Sequence, residues 1–199
     1  MPVRLNCNIS HTIILKKSEF ITELHRVFTL EAIQAVLKDA HKRHPKATHI
    51  CSAFRIENHE RSNDDGEPSG TAGLPMLEVL RKTDVIDILA LVIRYYGGIQ
   101  LGAGGLTRAY NSSVAEALAS AQLNPLVQRV ESQICFPIQY ADTILYSFNP
   151  KEVLRKQFDT HVTLTLLTQN MDFIPHLQEI TRGQIEILYQ TDKIIESKP

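Results

Sequence analysis

One segment limits this chain more than any other: an apolar run that ends in a cluster of glycines. Ile88 to Tyr96 is apolar on both pleat faces until Arg94, which predicts a strand buried on both sides. It runs into Gly97-Gly98, then Ile99-Gln100-Leu101, then Gly102-Ala103-Gly104-Gly105. Leu106, Ala109, Tyr110, Ser113, Ala117 and Ala121 share one helical face, so a helix is predicted from about Leu106 to Ala121. Five glycines within nine positions oppose ordering of the backbone, yet they permit positive φ and close approach to a neighbour. If Gly104 takes a positive φ, a valine there strains the backbone by ~1–3 kcal/mol.

The glycines do not make a nucleotide motif. Gly97 and Gly102 fit GxxxxG, but Ala103-Gly104 stand where a P-loop needs Lys and Ser/Thr. Gly102 and Gly104 fit the start of GxGxxG, but Thr107 replaces its last glycine. What remains is a strand, a flexible loop and a helix N-terminus, whose free N–H groups suit an anion. From Ile88 to Ala115 the only charges are Arg94 and Arg108. The other half of the candidate site is the acidic, turn-rich stretch Asn58 to Gly73, preceded by Glu57. Its Asp64, Asp65 and Glu67 oppose the charge of Arg94 and Arg108, so the two loops are expected side by side at one end of a sheet. They bind either a ligand or each other. The binding candidates are Asp64, Asp65, Gly66, Glu67, Ser69, Gly70, Thr71, Arg94, Gly97, Gly98, Gly102, Gly104, Gly105 and Arg108. Arg108→Ala is expected to spare folding and weaken anion or partner binding.

Catalytic signals are poor. Ser69 and Thr71 have nucleophilic hydroxyls, but no histidine stands in a recognisable relation to them. Three acids within four residues are as ordinary in a plain turn as at a metal. No catalytic residue, metal or cofactor is therefore expected. Cys51 lies in an alternating stretch, His49 to Ile56, and reads as a small buried strand residue.

Elsewhere, Ile13 to Leu15 and Phe20-Ile21 suggest short strands around an exposed Lys16-Lys17. Ile33, Val36, Leu37 and Ala40 predict a helix over Thr29 to Arg43, capped by Thr29 and stopped by Pro45. Leu74-Pro75 opens a helix through Arg81. Pro125 marks a change of texture, and the domain boundary is placed at residue 126, giving domains 1–126 and 127–199. Beyond it come a strand (Val127 to Gln139), a short helix (Tyr140 to Phe148) and an ambiguous segment (Glu152 to Phe158). A strand (His161 to Thr168), a helix (Asp172 to Thr181) and a last strand (Ile185 to Tyr189) follow. The order βαββαβ is the ferredoxin-like pattern.

Composition sets outer bounds. The 199 residues carry a net charge of -1, which argues against retention on nucleic acid by bulk charge alone. The charge is uneven: residues 1–50 hold eight Lys/Arg against four acids, and residues 51–100 five against eight. A local basic surface near the N-terminus is compatible with this. Cys7, Cys51 and Cys135 are odd in number and lack a CxxC, the pattern of reduced thiols rather than a disulfide framework. The first residues lack the apolar stretch of a signal peptide, and the longest apolar run, Ile88 to Ile93, is too short to span a bilayer. A cytoplasmic protein without a membrane partner is expected.

The stretch from Ser62 to Tyr110 resembles the IMPACT family, whose bacterial members are called YigZ-like. The resemblance rests on DDGEPSGTAG (Asp64 to Gly73) with Pro75, then Val92-Ile93-Arg94-Tyr95-Tyr96-Gly97-Gly98-Ile99, Leu101-Gly102, Gly104-Gly105-Leu106 and Arg108-Ala109-Tyr110. Lys17-Ser18, Phe20-Ile21, His44-Pro45 and Ala47-Thr48-His49 add an upstream signature. The first 126 residues look like the IMPACT domain, and the rest like the small C-terminal domain of bacterial members. The resemblance implies an α+β protein: a ribosomal protein S5 domain 2-like N-terminal domain, then a ferredoxin-like domain similar to the last domain of elongation factor G. It also implies translational control, the role of the eukaryotic relatives, which compete for a partner of a stress-responsive eIF2α kinase. Those relatives carry a different accessory domain, so that partner does not transfer. Glu19 and Leu74 stand where basic residues are common in the family, which weakens an RNA-phosphate reading. The leading expectation is a non-enzymatic, translation-associated regulatory protein that contacts RNA, the ribosome or a ribosome-bound factor. The alternative is an enzyme acting on a small phosphorylated or peptide substrate at the Asp64–Glu67 and Gly97–Gly105 loops.

Overall fold

The computed structural model describes residues 1–56 and 59–197, which form a mixed α+β protein. Glu57 and Asn58, read above with the acidic stretch, lie outside the described residues. The chain divides into two units, Met1–Leu126 together with Ser197, whose N–H donates to the Pro125 carbonyl at 2.9 Å, and Val127–Glu196; the second unit thus ends at Glu196 among the described residues, short of the expected 127–199. The first contains β1 (Val3–Leu5), β2 (Ile9–Leu15), β3 (Ser18–Arg26), α1 (Leu30–Arg43), β4 (His49–Ile56), β5 (His59–Asn63), α2 (Gly73–Lys82), β6 (Val85–Ile86), β7 (Ile88–Tyr95) and α3 (Ala103–Ser120). A long strand, β8 (Leu123–Pro137), begins in the first unit and continues in the second.

The centre of the first unit is β7. It pairs antiparallel with β3 on one side and β4 on the other, in a five-stranded sheet of order β2-β3-β7-β4-β5. Its apolar run is explained by helices on both faces. Ile88, Ala90 and Val92 point into a core with Met76, Leu80, Tyr110 and Val114 of α2 and α3. Leu89, Leu91 and Ile93 point into a second core with Ile33 and Ala40 of α1. An antiparallel strand thus shows the continuous hydrophobicity more usual in parallel sheets, because both of its faces are covered. Each fully buried Leu or Ile contributes about 1.5–3 kcal/mol. β4 divides in the same way, Cys51 and Ala53 to one core, Ile50, Phe54 and Ile56 to the other. A small second sheet pairs β1 parallel with β6 and antiparallel with Leu123–Pro125 of β8.

Several elements differ from the sequence reading. β5 lies within the stretch read as a loop; its five residues are exposed and polar on both faces, so no alternation marks it. β1 has only three residues, too few to show a period. α3 starts at Ala103, not Leu106, which draws Gly104 and Gly105 into its first turn. Thr29 caps α1 as expected, its Oγ1 accepting the Ala32 N–H at 3.2 Å. Lys16 and Lys17 form the tight turn between β2 and β3, both exposed and both at positive φ, 46° and 66°.

The second unit adds a 3-10 turn (Ile138–Tyr140), α4 (Ala141–Tyr146), a second 3-10 turn (Pro150–Glu152), β9 (Val153–Phe158), β10 (His161–Thr168), α5 (Ile174–Ile180) and β11 (Glu186–Glu196). The ambiguous segment after Glu152 is therefore a strand. The order is β-α-β-β-α-β, and the strands stand β11-β8-β10-β9. Val162, Leu164 and Leu166 alternate into a core with Ile134, Phe136, Ile144 and Leu177.

Candidate functional site

The acidic stretch is a clamp turned on its own backbone. Asp64 Oδ1 accepts the N–H groups of Ala72 (3.1 Å) and Gly73 (2.8 Å), and Oδ2 accepts that of Gly70 (2.8 Å). Burial works to raise its pKa, but these three bonds outweigh burial and hold the carboxyl below its ordinary range. Asp65 lies at positive φ, 45°. Its Oδ2 accepts the Ile50 N–H at 2.6 Å, and its carbonyl accepts His49 Nδ1–H at 2.7 Å. Both acids therefore tie the turn to β4 and to the start of α2.

Glu67 turns inward. Its Oε1 accepts Arg94 Nη1 at 2.5 Å and the Tyr110 hydroxyl at 2.8 Å, joining the acidic turn, β7 and α3. Glu67 and Arg94 are 7% and 5% exposed, so each charge depends on the other for compensation. The Arg94 guanidinium lies 5.4 Å from the Phe20 ring centre and 5.5 Å from that of Tyr96, a stacked setting that suits Arg. Cys51 Sγ lies 3.0 Å from the Asp64 carbonyl and 3.3 Å from the Tyr110 hydroxyl. Burial pushes the Cys51 thiol up to about 12 and the Tyr110 phenol upward as well. Both are protonated at neutral pH and unsuited to nucleophilic attack.

The glycine loop is built by contact. A Cβ on Gly97 would lie 2.0 Å from the carbonyl carbon and oxygen of Lys17, so the backbone approach to the β2–β3 turn requires glycine. The Gly97 N–H donates to Ser18 Oγ at 3.1 Å. Gly102, at φ 71°, is the N-cap of α3.

Residues of both loops meet around one cavity of about 480 Å³. Glu67 and Pro68 come from the acidic turn, Gln100, Leu101, Gly102 and Ala103 from the glycine loop and α3, and Thr48, His49, Arg94 and Tyr96 from the strand ends. His49 Nε2 is 4.0 Å from Glu67 Oε2.

The other candidates are placed differently. Arg94 is not an uncompensated cation, because Glu67 Oε1 accepts its Nη1–H. Arg108 is exposed on α3 and is not among the cavity's lining residues, because it falls outside the face that carries Leu106, Ala109 and Tyr110. Gly104 does not take a positive φ, and a Cβ there meets nothing within 4 Å; its place in a helical turn removes the expected strain. Ser69 and Gly70 are exposed, and Thr71 Oγ1 donates to the Pro68 carbonyl at 2.6 Å. Gly66 and Gly98 take positive φ, and Gly105 belongs to the first turn of α3. Thr48, His49, Tyr96 and Gln100 line the cavity but are absent from the binding candidates read from the sequence, although Thr48, His49 and Tyr96 stand within the strings that carry the family resemblance.

Arrangement and sequence together define a class: a two-unit α+β protein whose first unit carries a cavity between a strand–glycine loop–helix segment and an acidic turn. The Impact N-terminal domain family matches residues 16–118, and the chain belongs to the IMPACT family. It is 33% identical over 185 residues to the IMPACT family member YigZ of Escherichia coli, covering 87% of this chain and 90% of that protein. It is 53% identical over 111 residues to the IMPACT family member YvyE of Bacillus subtilis. That match covers 54% of this chain and 51% of the relative, about half its length. A crystal structure described as that of a hypothetical protein superposes with TM-score 0.60 at 30% identity, covering 94% of this chain and 95% of the other. Among the described residues no helix is long and apolar enough to cross a membrane.

Proposed function

We propose that this chain is a translation-associated regulatory protein that acts by contact with RNA, the ribosome or a ribosome-bound factor. Membership of the IMPACT family supports the translational part of this reading. The observation that carries the contact is the exposed Lys16–Lys17 turn, whose backbone packs against Gly97. This packing sets a turn with two exposed lysines beside the glycine loop that leads into the N-terminus of α3, which has no side-chain cap among the described residues. Such a rim suits phosphate oxygens. We read the first unit as the S5 domain 2-like domain, 1–126, and the second as the ferredoxin-like domain, 127–199. The βαββαβ order and the strand order of the second unit support the latter. A fragment of residues 1–126 that unfolds cooperatively supports that division, and one that is unfolded rejects it.

The test of function is sedimentation of lysate at low salt. Part of the protein should travel with ribosomal particles, and less as salt rises, since few phosphates are neutralised. Lys16→Glu with Lys17→Glu should reduce that part. Recovery in the soluble fraction alone, under crosslinking as well, rejects the reading. A second reading, an enzyme acting on a small phosphorylated or peptide substrate, is favoured by the cavity beside Glu67 and His49. Turnover by purified protein, lost in His49→Ala, would favour it.

A further inference from the structure

The cavity of the first unit offers more than a rim. Two of its polar lining side chains are more than nine-tenths buried, Glu67 and Arg94, and each has polar capacity left over. Glu67 Oε1 is used by Arg94 and Tyr110, while Oε2 makes no hydrogen bond among the described residues. Arg94 Nη1 is used by Glu67, whereas Nη2 makes no hydrogen bond among the described residues, and Nε is buried without a partner. One acceptor atom and one donor atom of this single-toothed pair are thus left without a hydrogen bond among the described residues. His49 adds a second acceptor. Its Nδ1–H is spent on the Asp65 carbonyl, which leaves Nε2 as a lone-pair acceptor in the neutral ring, 4.0 Å from Glu67 Oε2.

Gly102 and Ala103 line the same cavity at the start of α3. That helix has 18 residues, no acidic residue in its first turn and no side-chain cap among the described residues. Its first N–H groups and dipole therefore favour an anion. Tyr96, 45% exposed and held by the Arg94 stack, supplies an aromatic surface on the cavity wall. A ligand matched to all of these carries an anion at one end and, at the other, a flat ring with a hydrogen-bond donor beside an acceptor.

We propose that this cavity binds a nucleoside monophosphate unit with an amino-bearing base. Its phosphate lies on the N-terminus of α3, its base stacks on Tyr96, and the base's amino group donates toward Glu67 Oε2 and His49 Nε2. Arg94 Nη2 donates to the neighbouring ring nitrogen. The volume of about 480 Å³ accommodates one nucleotide. The missing P-loop lysine fits a single phosphate rather than a triphosphate. The unit has two sources, a free nucleotide or the 5′-phosphorylated end of an RNA. The proposal deepens the reading of this end as an RNA-facing surface and rests on that reading only for the second source.

The test is calorimetric titration of the full chain with adenosine 5′-monophosphate. Saturable binding is expected, about tenfold tighter than uridine 5′-monophosphate, which lacks the amino group. Adenosine and inorganic phosphate should each bind more weakly than the joined molecule. Tyr96→Ala should weaken binding about tenfold through lost stacking. Ala103→Asp places a carboxylate where the phosphate sits and should weaken binding at least tenfold, while the helix end itself tolerates an acid, so thermal stability should not fall. A short oligoadenylate is then compared with and without its 5′-phosphate: a phosphate-dependent gain assigns the RNA end, and no binding of either assigns the free nucleotide. Failure of adenosine monophosphate to bind at millimolar concentration, or binding by both variants equal to the parent, overturns the proposal. Ribosome sedimentation of the same preparations separates the two readings, since either can fail while the other stands.

Discussion

The two loops that meet at the cavity differ in a way that reverses their appearance in sequence. The acidic turn carries the charges, yet most of its carboxylate oxygens are spent inside the fold. Asp64 binds three backbone N–H groups, Asp65 binds the start of β4, and Glu67 neutralises a buried arginine. The glycine loop carries almost no charge, yet it leaves the start of α3 open to the cavity. Charge density is thus a poor guide to an open site here. The charge of a buried carboxylate must be compensated within the protein, whereas a helix N-terminus at a surface is satisfied by solvent or ligand.

This contrast predicts that substitutions in the acidic turn act on stability, and that most in the glycine loop do not. The largest effect is expected at Glu67. Glu67→Ala leaves Arg94 buried without its counter-charge and should destabilise by about 3–5 kcal/mol, measured by urea denaturation. A loss under 1 kcal/mol would show that Arg94 finds water or another partner, and the clamp reading would fail. Gly97→Ala is the exception within the glycine loop. Its Cβ would overlap the Lys17 carbonyl, and about 3 kcal/mol of destabilisation is expected from overpacking against backbone.

Asp64→Asn should follow at about 2 kcal/mol, since charge-assisted bonds to three N–H groups are weakened. Its pH dependence provides a sharper check. The folded pKa of Asp64 lies below the ordinary 3.8, so its stabilisation is present above that value and is lost as pH falls below it. Stability of the parent should therefore drop more steeply below pH ~4 than that of Asp64→Asn. Parallel acid curves would remove Asp64 from this role. Gly102→Ala should destabilise by about 1 kcal/mol through positive φ. Gly104→Ala, two residues on in an ordinary helical turn, should stabilise by about 0.5 kcal/mol. Equal effects at the two positions would show that the helix does not begin at Ala103. Arg108→Ala, exposed and outside the cavity lining, should change stability within ±0.5 kcal/mol and leave adenosine monophosphate binding unchanged.

The sequence by itself determined the elements whose residues repeat with a period. Ile33, Val36, Leu37 and Ala40 repeat as an amphipathic helix does, while Ile88 to Ile93 is an unbroken apolar run whose shortness, between a turn and a glycine cluster, pointed to a doubly covered strand. Most elements of the second unit's β-α-β-β-α-β order were legible from alternation and helical spacing as well. The family motifs were legible as strings, and they located both loops. What the tertiary structure alone decided is which atoms those loops spend on each other. That Glu67 reaches Arg94 and Tyr110 and that Gly97 rests on Lys17 depends on contacts between segments from 27 to 80 residues apart in the chain. Such contacts leave no period in the sequence, because each is a single meeting of side chains or backbone groups set by how helices and strands pack.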